Sequence, residues 1–144
     1  MASMKKAQVN TVVILILGAM LVACGANHER DGLYMANKQI AGIKNVWILN
    51  GNEVTVYSMG VIKVGRCKQH SEKIVLEDGR EFPFNEKGDV VITKGTGPED
   101  EYSMTKISSN TDYSPQQIEK LIDEALEKEK KELIDALDRY NRGL

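Results

Sequence analysis

The chain has 144 residues, enough for one domain, and its 28% charged and 42% hydrophobic residues match an ordinary globular protein. Of its 19 Lys and Arg, Lys5 and Lys6 fall in residues 1–23, which hold no acid. The remaining 17 face 21 Asp and Glu, so the rest of the chain carries −4 where the whole carries −2. That mild acidity excludes a nucleic-acid partner, which needs a basic face.

Lys5 and Lys6 form a short positive start, and residues 12–23 follow as an unbroken apolar run. As a helix the run is about 18 Å long at about 1.5 Å per residue. A hydrocarbon core is about 30 Å thick, so the run is too short to span it and suits the apolar core of an export signal. Its end, Leu21, Val22, Ala23, Cys24, sets an aliphatic residue, a tolerant position and a small residue before a cysteine. This resembles the lipobox of bacterial lipoproteins. The resemblance implies cleavage between Ala23 and Cys24, a diacylglyceryl group on the Cys24 thiol and acylation of the new amino terminus. The expected cofactor list is therefore empty apart from this covalent, palmitate-type lipid. Several acyl chains in one anchor make attachment effectively permanent, since each buried methylene contributes about 0.8 kcal/mol. Gly25 stands where enterobacterial lipoproteins retained at the inner membrane carry aspartate. The resemblance thus implies the outer membrane, on its periplasmic face.

Residues 24–31 are polar and read as a tether between lipid and fold. Residues 32–107 read as β, in short alternating runs separated by turn residues. The predicted strands cover 32–36, 43–49, 53–58, 61–68, 73–76, 81–85, 89–93 and 102–107. Asn50 and Gly51 predict a tight hairpin, because both accept positive φ. Met59 and Gly60 break the chain, and residues 94–100 form a longer loop. Pro83 cannot donate to a ladder and marks an edge or bulge. The spacing leaves no room for crossover helices. The fold class is therefore mainly β with one long helix: a small antiparallel meander barrel or half-barrel of about eight strands, then a C-terminal amphipathic helix. Gly32, Leu33 and Tyr34 early, and Tyr102 to Lys106 late, loosely resemble small lipocalin-like bacterial lipoproteins in layout.

Residues 108–144 hold a connector and the helix. Ser114, Pro115 and Gln117 write a capping box with proline at the first helical position, and Gly143 suits the stop. Ile118, Leu121, Ile122, Ala125 and Leu126 make a dense apolar patch. Residues 127–132 are all charged, and Leu133, Leu137 and Tyr140 form a second patch beyond them. Burying the charged stretch without partners costs more than the leucines return. The first half is therefore expected to dock, and Leu133, Leu137 and Tyr140 to bind a partner.

No nucleophile–base–acid set, phosphate loop or cofactor motif occurs, so the expectation is a non-enzyme without a metal. His28 and His70 lack a second ligand at metal spacing, and residues 99–101 lack the alternating oxygens of a calcium loop. Cys67 is the thiol left once Cys24 is acylated. Arg66 and Lys68 beside it favour a lowered pKa, which would suit a reactive thiol or an intermolecular disulfide; the plainer reading is a half-buried strand cysteine. Trp47, Tyr57, Phe82 and Phe84 either fill a small barrel or line a ligand cavity. The leading expectation is a membrane-anchored module that binds an envelope protein, as an inhibitor or assembly accessory. Two alternatives stand: carriage of a small apolar ligand in the barrel, and a surface-exclusion or immunity lipoprotein of a mobile element.

Overall fold

The computed structural model describes residues 26–93 and 101–143. The export signal with Ala23 and Cys24, and the loop 94–100, lie outside the described residues. The order is β1 (Gly32–Ala36), β2 (Val46–Asn50), β3 (Glu53–Ser58), β4 (Val61–Gln69), β5 (Lys73–Leu76), β6 (Glu81–Pro83), β7 (Val90–Thr93), β8 (Glu101–Ser108) and helix α1 (Pro115–Arg142). All pairings are antiparallel, and neighbours run β6-β5-β4-β3-β2-β1-β8-β7. A bridge between Phe84 and Val90 brings the two ends of this order together, so the sheet is a nearly closed barrel. Pro83 sits in β6, the last strand at one end of the order, where a missing N–H is tolerated.

Alternation along the strands sorts two apolar layers. Tyr34, Trp47, Leu49, Val54, Cys67, Ile74, Phe82, Val90, Ile92, Tyr102 and Met104 point inward and pack as one cluster. The Trp47 and Phe82 rings meet edge to face with centroids 5.2 Å apart. Leu33, Met35, Val46, Ile48 and Tyr57 point outward, and α1 covers them. All five residues of β1 are therefore buried, unlike a strand with one wet face. Tyr57 belongs to this outer layer, not to the barrel interior where Trp47 and Phe82 lie.

Two turns differ in register from expectation. Asn50 pairs with Glu53, so the turn residues are Gly51 and Asn52, not Asn50 and Gly51. Gly51 has φ +60 and Asn52 has no positive φ, the pattern of a type II′ turn with glycine first. A side chain at Gly51 would also meet His28 Cε1 at 2.7 Å. The predicted start of β2 at residue 43 moves to Val46. Ile40 and Ile43 exchange two backbone hydrogen bonds, of 2.9 and 3.0 Å, around Ala41 and Gly42, which both have positive φ. That tight turn takes Ile43 out of the ladder.

Candidate interaction surface

Helix α1 begins as its sequence dictates. The Ser114 hydroxyl accepts from the Gln117 N–H, the Gln117 side chain accepts from the Ser114 N–H, and Pro115 follows the cap. Ile118 and Ile122, one turn apart, are the buried residues of the helix and press on the outer face of β1, β2 and β3. Leu121, Ala125 and Leu126 flank them half-buried.

One turn past Leu126, Glu129 forms an ion pair with Lys44 and accepts from Gln39 Nε2 at 3.2 Å. Lys44 is buried. The charged stretch 127–132 is thus not without partners, as the sequence suggested, because Glu129 neutralises the Lys44 ammonium at the barrel rim. Hydrogen bonding to Lys44, with help from Gln39, holds the Glu129 carboxyl below its ordinary 4.5 despite desolvation. A depressed acid contributes stability above its unfolded pKa and loses it as pH falls through the folded value. Glu129→Gln should therefore cost about 1–2 kcal/mol in urea unfolding at pH 7. The gap to wild type should close once pH drops below the ordinary glutamate range; a gap unchanged at pH 3 would discount the ion pair.

Beyond Glu129 the helix has no barrel beneath it. Leu133 is 62% exposed, Leu137 53% and Tyr140 67%, so the three residues singled out from sequence lie in solvent on the projecting half. Ile134, also exposed, joins them. Sequence reading omitted Ile134, although its spacing of three from Leu137 places it on the same side.

The two ends of the barrel differ. At the end where β1 begins, residues 28–31 are bonded to the barrel and do not form a free tether. Asp31 Oδ1 accepts from the Gly51 N–H at 2.7 Å and from Gln69 Nε2 at 2.8 Å, and Oδ2 meets His28 Nδ1 at 2.6 Å. Gln69, itself buried, also accepts from the Arg30 N–H and donates to the Gly51 carbonyl. Burial pushes the Asp31 carboxyl up, but these hydrogen bonds and His28 outweigh it and hold it below 3.8. The Arg30 guanidinium lies 4.4 Å from the Phe84 ring centroid, and the Tyr34 hydroxyl donates to the Arg30 carbonyl at 2.6 Å. Lys44 and Gln39 lie past the opposite end, between β1 and β2. The N-terminal segment therefore joins one end of the barrel and α1 projects past the other.

Cys67 lies in the barrel core. Its sulfur stands 3.8 Å from the Gly51 carbonyl, and burial pushes the thiol up to about 11. Asp31 and Glu53 raise it further, so the lowering that Arg66 and Lys68 would give a reactive thiol does not occur. His70 is exposed, and the described residues contain no group of three or more His, Cys, Asp or Glu that could hold a metal. Comparison with family models, curated proteins and solved structures finds no match.

Proposed function

We propose that this chain is a lipid-anchored interaction module of the cell envelope, held to the membrane through Cys24 and presenting α1 to a protein partner. The observation that carries this reading is the exposure of Leu133, Leu137 and Tyr140 on the half of the helix that leaves the barrel. Their spacing of four and then three residues is that of a helix laid into an apolar groove of another protein. The placement of the ends supports it. Only three residues lie between Cys24 and His28, a reach of about 14 Å over four chain steps, so the anchored end of the barrel stays close to the bilayer. The helix leaves the opposite end, and the 13 residues after Glu129 carry it about 20 Å farther into the aqueous space. Packing of Trp47, Phe82, Tyr34 and Met104 into one interior cluster favours this reading over carriage of an apolar ligand.

Two measurements test it. Cys24→Ser should abolish incorporation of labelled palmitate and leave an uncut precursor; equal labelling of the variant would reject the anchor. A photocrosslinking residue at position 137 should trap one discrete envelope protein in cells, and the same probe at the docked position 122 should trap none. Equal products from both positions would reject the helix as the binding element.

A further inference from the structure

Strand β4 is longer than the strands beside it, and one of its edges is only partly used. Toward β3 it pairs along Val61 to Arg66. Toward β5 it pairs only through Cys67, Lys68 and Gln69. The His70 N–H reaches the Lys73 carbonyl at 2.8 Å and the Glu77 N–H reaches the Arg66 carbonyl at 3.0 Å. Residues 66, 68 and 70 thus direct their backbone groups toward β5. By the alternation of an antiparallel ladder, Ile62 and Val64 direct theirs to the same side. The ladder would continue to them, but the chain turns away at 77–80, where Asp78 is occupied with the Arg80 side chain. No hydrogen bond forms there among the described residues, so the N–H and C=O of Ile62 and Val64 stand open at a sheet edge.

Beside Lys63, the side chains on this edge are apolar and bare: Val61 is 55% exposed and Val64 61%, with Ile62 also exposed. An open apolar edge is a template for another strand. We infer that the β4 edge from Val61 to Gly65 takes an extended peptide as an added strand, one that alternates apolar with acidic residues. Charge selects this occupant. Within Val61–Gly65 the one charged side chain is that of Lys63, and there is no acid. Ile62 and Val64 lie on one face and Lys63 on the other, so an added strand meets two apolar neighbours on one side and a cation on the other. A second copy would set Lys63 against Lys63 in the register that pairs Ile62 with Val64, and like charges directly opposite are disfavoured. A strand with glutamate at that position meets no such penalty. This edge is separate from the projecting half of α1, so either surface can fail without the other.

The test uses the full chain in detergent micelles and two synthetic peptides, one alternating valine with glutamate and one valine with lysine. The glutamate peptide should bind, and on titration the amide protons of Ile62 and Val64 should move downfield as they gain hydrogen bonds. The lysine peptide should bind about tenfold more weakly. Val64→Pro removes the outward N–H at a position where an edge tolerates proline, and should weaken binding about tenfold. Lys63→Glu should reverse the preference between peptides, and it decides the matter if Val64→Pro loses its β circular dichroism. Absence of binding by either peptide, equal binding of both by wild type and Lys63→Glu, or self-association of wild type that Val64→Pro abolishes would each overturn the proposal.

Discussion

Truncation of Trp47 to alanine is expected to destabilise the barrel by about 3–5 kcal/mol, the range for removing a large aromatic from a packed core. Trp47 lies on β2 opposite Tyr34 on one side and Val56 on the other, and its ring meets Phe82 across the interior. That contact ties β6, at one end of the strand order, to β2, four strands along it, across the interior, so its loss loosens the closure of the barrel as well as its filling. Urea unfolding followed by circular dichroism measures the change. The variant should also bind a small apolar dye that the wild-type chain does not, because truncation opens a dry void where the indole stood. A loss below about 1 kcal/mol would mean that the interior is not packed around this ring. Dye binding by wild type at the same level would restore the carriage reading.

The architecture was legible in the sequence because its signals are local. Alternation of Val54 and Val56 with their neighbours, glycine at the turns, and the Ser114 to Gln117 cap each act within a few residues, and they place the strands and the helix start near their observed positions. What escaped depends on residues far apart. The pairing of Glu129 with Lys44 spans 85 positions, and without it residues 127–132 look like a stretch with no partner. Asp31, Gly51 and Gln69 converge from three segments, so residues 28–31 read as polar spacer although they bond to the barrel end. Tyr57 shows the same limit. Alternation places it opposite Val54 and Val56, but which face of the strand lies inside is fixed only when β2 pairs with β3 and α1 lands on the outer layer. The open edge of β4 was invisible for a related reason: it exists because β5 pairs with only the last third of that strand.

The same substitution placed at two points of α1 should have opposite consequences. Ile118→Asp puts a carboxylate where the side chain is fully buried against Leu33, Val46 and Ile48, with no cation among these neighbours. Burying an unpaired charge costs several kcal/mol, and the helix has a cheaper response, which is to leave the sheet. Its docking rests on Ile118, Ile122, their half-buried neighbours and the Glu129 ion pair, so loss of Ile118 should detach it. Once detached it keeps only its cap and its local charge pairs, and helices without tertiary packing are marginal in water. The far-UV helical signal should therefore fall while the barrel's β signal remains, and the amides of 118–126 should lose their protection from exchange. Leu137→Asp, on the projecting half, meets only water and should shift stability by no more than about 0.5 kcal/mol. Amides of 133–140 should exchange faster than those of 118–126 in the wild-type chain, since the helical hydrogen bonds there have no layer beneath them. If Leu137→Asp costs as much as Ile118→Asp, the second patch is covered within the chain and is not free for a partner. If instead Leu137→Asp leaves stability untouched and removes the crosslink formed by a probe placed at position 133, the exposed leucines serve binding rather than folding.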